Sequence, residues 1–314
     1  MKILIVRTSS LGDLIHMLPA ITDIKRHIPE ATIDWVVEEA FTEIPRWHAA
    51  IDRVIVIAHR RWRRAWWSAQ SKAERTAAIK ALRSVEYDLV LDMQGLMKSV
   101  WLVKQAHGVK HGFDWRSTRE PLCSLFYDVR HRVEIWQPAV ERQRQLASLT
   151  FGYTPEGPPD FGLDHLISPT TAGPYAVIMP SASRDNKLWP TADWQAVFDC
   201  LQSHDLELRL LAGSEAERER AHQLIGSRSG ATVQAKSSLT ELATLMSGAR
   251  LMVGLDSGLT HLSAAVGTDT IGIYKASTPA RTPLVGRGFV ASLGDKGKAP
   301  GRAEVLAAIE SALP

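Results

Sequence analysis

The chain has 314 residues, of which 45% are hydrophobic and 23% charged, and carries a net charge of +3 at pH 7. This balance excludes a disordered or fibrous chain and speaks against a nucleic-acid protein, whose phosphate contacts need a larger basic excess. Two cysteines, Cys123 and Cys200, are too few for a disulfide framework and lack zinc-knuckle spacing, so a reducing, cytoplasmic setting is expected.

The opening apolar run stops at Arg7, far short of a signal peptide, and no stretch approaches the roughly 20 apolar residues of a spanning helix. Residues 3–6 instead read as a central parallel strand covered on both faces. Strand patterns recur at 33–37, 54–57 and 89–91, with helical periodicity at 14–27 and 72–83 between them. From about 150 to 174 the chain thickens in Gly and Pro, which resists regular structure and marks a linker between two domains, 1–160 and 175–314. Beyond it, strand patterns resume at 175–179, 206–211, 231–235, 251–254 and 270–274. Pro190 and Thr191 open one helix, residues 215–225 form a charged one, and Ser238 caps a third over 239–247. Residues 303–313 read as a terminal helix that packs back on the first domain. Alternation of this kind predicts an α/β protein, with two Rossmann-like doubly wound domains facing a central cleft.

Three strand ends carry residues suited to chemistry. The first reads Arg7-Thr8-Ser9-Ser10-Leu11-Gly12-Asp13, and Asp13 there is either a base or a carboxylate balancing a helix dipole. The lone Gly12 does not make the G-x-G-x-x-G fingerprint, which disfavours a nicotinamide oxidoreductase. The second, Gly254-Leu255-Asp256-Ser257-Gly258-Leu259-Thr260-His261, offers a helix start whose N–H groups suit a diphosphate, or only a capped helix with an ordinary histidine. The third, Ser181 to Lys187, mixes hydroxyls with a lysine able to meet phosphate charge, or is simply a solvated polar loop.

A fourth feature, Arg60-Arg61-Trp62-Arg63-Arg64-Ala65-Trp66-Trp67, packs four arginines and three tryptophans into eight residues. Such a mixture suits an anionic amphiphile, since arginine grips phosphate or carboxylate and tryptophan sits well at a membrane surface. A core-facing tryptophan stripe with solvated arginines explains the composition equally well. No D-x-D, C-x-x-C or H-E-x-x-H spacing occurs, so metal-independent catalysis is expected.

Residues 2–13 and 256–261 together resemble the bacterial lipopolysaccharide heptosyltransferases, glycosyltransferase family 9, and the likeness spans nearly the whole chain. Trp35 to Glu39, Trp47 to Ala50, the 60–67 cluster and His111 to Trp115 look most like the members that add the first heptose. The resemblance implies a GT-B fold, with the acceptor on the first domain and ADP-heptose, a donor substrate rather than a cofactor, on the second. It also implies inverting transfer to the Kdo residue of Kdo2-lipid A, by a protein peripheral on the cytoplasmic face of the inner membrane.

Carried over by position, Asp13 would be the base and Lys187 a catalytic cation. Ser183, Lys187, Glu217, Asp256, Ser257, Gly258 and His261 would hold the donor, Glu217 through the ribose. Ser10, Arg60, Arg61, Arg63, Arg64 and Arg119 would meet the acceptor. Two departures weaken the donor map: Ala182 and Ser183 replace paired hydroxyls before Lys187, and Lys275-Ala276-Ser277 stands where a Gly-Pro-Thr turn is common. A different heptose or hexose donor, or a non-catalytic binder of lipid or nucleotide, are the competing readings.

Overall fold

The computed structural model describes residues 1–167, 173–181 and 188–313. The chain divides into two compact units, Met1–Gly162 and Leu163–Pro314.

The first unit is built on six strands, β1 (Lys2–Val6), β2 (Thr32–Glu38), β3 (Ile51–Ile57), β4 (Glu86–Asp92), β5 (His107–Phe113) and β6 (Val129–His131), in the order β3-β2-β1-β4-β5-β6. Every pairing is parallel. Ile3, Leu4, Ile5 and Val6 are all fully buried, as expected where helices cover both faces of a strand.

The second unit repeats the plan with β7 (Tyr175–Met179), β8 (Glu207–Leu210), β9 (Ala231–Val233), β10 (Leu251–Leu255), β11 (Thr270–Tyr274) and β12 (Val290–Gly294). The order is β12-β11-β10-β7-β8-β9, again all parallel. Numbered within its own unit, each sheet runs 3-2-1-4-5-6, and the winding reverses between β1 and β4 and between β7 and β10. Carboxyl ends of strands at such a reversal form the crevice where doubly wound folds take ligands.

Three strands escape the sequence pattern. β5 and β6 have much of their length at least part-exposed, and β12 is part-buried throughout, so none shows a continuous apolar run. The helix expected over 14–27 is two helices, Leu11–Ile15 and Leu18–His27. Pro19 sits in the first turn of the second, where its missing N–H costs nothing; inside one continuous helix it would break the ladder.

In the terminal helix Arg302–Ala312, Val305, Ile309 and Ala312 lie in the core of the second unit, with Trp194, Phe198 and Leu201 of the helix Thr191–Ser203. The helix also packs beside β11 and β12.

In the first unit, helices Leu18–His27 and Ala139–Phe151 are joined by a buried ion pair. Arg144 Nε donates to Asp23 Oδ2 at 2.7 Å, with the two side chains 4% and 1% exposed. Arg144 also donates to the carbonyls of Glu156 and Gly157, so the same guanidinium holds the chain leaving the unit. Arg144→Met leaves the Asp23 carboxylate buried without its main partner and should cost about 3–5 kcal/mol. Chemical denaturation would show this as a lower midpoint at unchanged slope, and a shift worth under about 1 kcal/mol would show the pair to be dispensable.

Candidate active site

At the end of β1 the backbone enters the short helix Leu11–Ile15, and Asp13 occupies its first turn. Asp13 Oδ2 accepts from the Ser10 backbone N–H at 3.0 Å and the Ser10 hydroxyl at 2.7 Å. Asp13 Oδ1 accepts from Arg7 Nη2 at 2.8 Å. Burial pushes the Asp13 carboxyl up, but Arg7, the two Ser10 hydrogen bonds and His16 outweigh it and hold the group down at about 2. The Arg7 side chain is almost enclosed and is fixed by a second hydrogen bond, from Nη1 to the Met93 carbonyl.

The loop carrying Ser9 and Ser10 is anchored from β4. Gln94 Oε1 accepts from the Thr8 N–H at 3.1 Å and the Thr8 hydroxyl at 2.8 Å, while Gln94 Nε2 donates to the Ser9 carbonyl. Gln94 is held in turn by Asp92, which is fully buried and accepts from the N–H groups of Gln94 and Gly95 and the hydroxyls of Ser99 and Tyr127. Burial pushes the Asp92 carboxyl up against these four hydrogen bonds. Gly95 has φ +67, and a Cβ there would stand 2.6 Å from Thr118 Oγ1, so glycine is required.

A second basic group reaches the turn that carries Asp13. Lys98 Nζ donates to Ser9 Oγ at 2.7 Å. Its ammonium is pushed below the usual lysine range, first by burial and then by Arg60, against the pull of Glu38 and Asp13. Glu38, at the end of β2 and 3% exposed, accepts from the Arg60 backbone N–H at 2.9 Å. This bond sets the start of the helix His59–Arg64. Trp62 alone on that helix faces the core, and its indole N–H donates to Glu74 at 2.7 Å. Arg60, Arg63 and Arg64 are exposed.

Arg61 is different. It pairs with Glu39 at 2.8 Å and with Glu74 at 2.9 Å, an exposed network that ties three elements together. Arg119 is exposed on the loop after β5, and that loop is pinned by Thr118 Oγ1 donating to the Gly95 carbonyl at 2.8 Å.

In the second unit, Asp256 follows β10 and is 9% exposed. His261 Nε2 lies 3.3 Å from Asp256 Oδ1, and the Ser277 hydroxyl donates to Asp256 Oδ2. Ser257 caps the helix Gly258–Ala265, accepting from the Thr260 N–H. Thr260 Oγ1 donates to the Leu255 carbonyl, so the helix start is bolted to the strand end. A Cβ on Gly254 would come within 2.8 Å of Thr260 Oγ1, which explains the glycine. Glu217 stands in the first turn of Glu215–Ile225 and accepts from Gly213 and Ser214 N–H groups through Oε2. Ser183 and Lys187 lie outside the described residues.

A family model described as glycosyltransferase family 9 (heptosyltransferase) matches residues 75–307. The chain belongs to this family. Lipopolysaccharide heptosyltransferase 1 of Escherichia coli K12 is 45% identical over 284 residues, 89% of each chain. Its counterpart in Pseudomonas aeruginosa is 42% identical over 92% of this chain and 83% of its own length. Among solved structures, the E. coli heptosyltransferase WaaC with ADP superposes with a TM-score of 0.92 at 42% identity, over 99% of this chain and 100% of that one. The same enzyme with ADP-2-deoxy-2-fluoro heptose gives 0.88 at 41% identity, over 99% and 98%. The two units of this family 9 chain are accordingly of the GT-B type.

The structure places Asp13, predicted as the base, and Ser10 of the predicted acceptor set on one turn after β1, Arg60 on the helix after β3, and Asp256, Ser257, Gly258 and His261 at a single strand-to-helix turn. Arg61 is spent on Glu39 and Glu74, while Arg63 and Arg64 point to solvent from the same short helix. Sequence reading missed Arg7, Glu38, Lys98 and Ser277. Arg7 was recoverable from its position on the same turn as Asp13. Lys98 was not, because nothing local says that its helix begins beside β1.

Since Asp13 is held below the ordinary carboxylate value, its stabilising contribution is present above about pH 4 and is lost as the pH falls toward 2. Removing the opposite charge with Arg7→Gln should raise the Asp13 carboxyl by about 1–3 pH units. Carboxyl-carbon NMR titration of the two proteins measures this directly; an Asp13 titrating near 4 in the parent would refute the pairing.

Proposed function

We propose that the chain transfers L-glycero-D-manno-heptose from ADP-heptose to the Kdo residue of Kdo2-lipid A, with inversion at the anomeric carbon and without a metal. The observation that carries this is an Asp13 carboxylate held down at about 2 on a hydrogen-bonded turn, with Lys98 bonded to Ser9 of the same turn, in a family 9 chain. The similarity to a WaaC structure holding ADP-2-deoxy-2-fluoro heptose supports the choice of donor.

In this reaction the Kdo hydroxyl gives its proton to Asp13 while its oxygen bonds to the heptose carbon. The bond from that carbon to the ADP oxygen breaks on the opposite face, and ADP leaves with the electron pair. A base must lie within hydrogen-bond reach of the proton it takes, and the Ser10 and Arg7 contacts fix Asp13 for that. The acceptor is anionic, and Lys98, Arg60 and Arg119 meet its carboxylates and phosphates. Arg63 and Arg64 extend the same positive face, and Arg61 holds the helix in place.

On the donor side, the N–H groups at Ser257 and Gly258 meet the diphosphate at a helix start. Asp256, anionic itself, suits a sugar hydroxyl rather than a phosphate, with His261 and Ser277 fixing its orientation. Glu217 takes the ribose hydroxyls, and Ser183 and Lys187 are assigned to the charge that gathers on the leaving ADP.

No helix among the described residues is long and apolar enough to cross a membrane. Trp67 is 94% exposed and follows the arginine helix, and the Arg75 guanidinium lies 3.8 Å over the Trp66 ring. This face is the proposed peripheral contact with the inner-membrane surface, where indole rings sit at headgroup level beside basic side chains.

The purified protein should release ADP only when ADP-heptose and Kdo2-lipid A are supplied together; no turnover with that pair would sink the reading. Asp13→Asn should lower kcat by orders of magnitude with little change in donor KM, whereas an equal loss of donor affinity would move Asp13 to the donor side. Lys98→Gln should raise the acceptor KM about 10- to 100-fold, by the worth of a hydrogen bond to a charged group, and weaken its salt dependence. Arg61→Gln should change it less, because that side chain is already paired; the reverse ranking would return Arg61 to the acceptor.

A further inference from the structure

Away from the strand ends, three side chains of metal-ligand type converge on the second unit. Cys200 lies near the end of the helix Thr191–Ser203, and His204 follows one turn later at the helix cap. This i, i+4 spacing places both side chains on one face. Glu310 comes from the terminal helix Arg302–Ala312, which packs along Thr191–Ser203. Cys200 Sγ is 3.4 Å from Glu310 Oε1, and His204 Nε2 is 3.3 Å from Glu310 Oε2. The ligand atoms of all three lie within 4.8 Å of one another, and among the described residues no other such trio occurs.

These distances fit a tetrahedral ion. Bonds of about 2.3 Å to sulfur and about 2.0 Å to nitrogen and oxygen, opened at the tetrahedral angle, put S and O about 3.5 Å apart and N and O about 3.3 Å apart. Each measured edge has its ideal length but they end on different oxygens of Glu310, so the carboxylate must turn to present one oxygen and the edge from Sγ to Nε2 must close to about 3.5 Å. One thiolate, one imidazole and one carboxylate are a borderline-soft set that suits zinc better than magnesium or calcium, which take oxygen ligands. Cys200 and His204 are half-buried and Glu310 is exposed, so an ion can enter and a water can complete the fourth position.

We propose that Cys200, His204 and Glu310 form a zinc-binding site that clips the terminal helix to the helix Thr191–Ser203. On binding, the thiol gives up its proton to solvent and the metal replaces both the thiol–carboxylate and the imidazole–carboxylate hydrogen bonds. The ion takes no part in sugar transfer; its effect is to stabilise the folded second unit by mass action. The search for C-x-x-C and H-E-x-x-H could not find this site, because its third ligand is over one hundred residues downstream.

The test uses the full chain after chelator treatment, titrated with cobalt as a spectroscopic probe and then with zinc. One cobalt per chain should give a thiolate-to-cobalt charge-transfer band and the intense visible bands of a tetrahedral ion, and zinc should bleach both. Cys200→Ser should abolish the charge-transfer band, while His204→Ala and Glu310→Gln should each weaken binding at least about 10-fold. Zinc should raise the thermal midpoint of the parent and not that of Cys200→Ser. A parent with no charge-transfer band, or a band that survives Cys200→Ser and vanishes with Cys123→Ala, would overturn the proposal. Circular dichroism of each variant separates loss of ligand from loss of fold.

Discussion

The first unit's ligand-facing end depends on the buried carboxylate of Asp92. It closes β4 beside β1 and collects four donors, from Gln94, Gly95, Ser99 and Tyr127, which belong to the strand exit, the following helix and the approach to β6. A buried carboxylate is tolerable only when it is fully hydrogen-bonded, so these partners cannot be released one at a time. Through Gln94 the same network grips the backbone of Thr8 and Ser9. Ser10 and Asp13 are therefore held by a chain of contacts that begins inside the sheet, and their loop is part of the core's hydrogen bonding.

The two units share strand order and direction but diverge chemically where the strands end. The end of β1 presents a carboxylate paired with Arg7, with Lys98 bonded to Ser9 of the same turn. The end of β10 presents a capped helix start, Ser257 and Gly258, beside Asp256 with its histidine and hydroxyl partners. The same capping box, a hydroxyl paired with a carboxylate three residues on, occurs at Ser10 with Asp13, Ser214 with Glu217 and Ser238 with Glu241. The box by itself therefore marks helix starts and not chemistry. What sets Asp13 apart is the arginine on its other oxygen.

Much of this was legible in the sequence, for identifiable reasons. Central strands such as β1, β7 and β11 are buried on both faces, so their apolar runs are unbroken and their bounds can be read closely. β6 and β12 lie at sheet edges, and their sequences reflect partial exposure more than strand period. Candidate residues on one turn, from Ser10 to Asp13 or Asp256 to His261, could be grouped because the turn is contiguous. Partners from other elements could not: Lys98 reaches Ser9 across 89 positions, and Glu38 fixes Arg60 across 22. Arginine count in the 60–67 cluster likewise could not show that Arg61 pairs with Glu39 and Glu74.

The low pKa of Asp13 constrains the proposed chemistry. A carboxylate held at about 2 is always ready to accept a proton but is a weak base toward an ordinary hydroxyl. Such a base suits a displacement at a sugar carbon in which the leaving group has largely departed before the proton moves, because the attacking hydroxyl becomes acidic only as it bonds to an oxocarbenium-like centre. Under the proposed reaction an anionic acceptor set against Lys98 would cancel part of the positive field and add negative charge near Asp13, and both effects would raise the carboxyl pKa. On that reading Asp13 would gain basicity as the acceptor is seated, the free protein holding the ion pair with Arg7 and the loaded one a stronger base. The Arg7 contact that holds the carboxyl pKa down in the free protein would then also keep the carboxylate oriented and unprotonated until an acceptor binds.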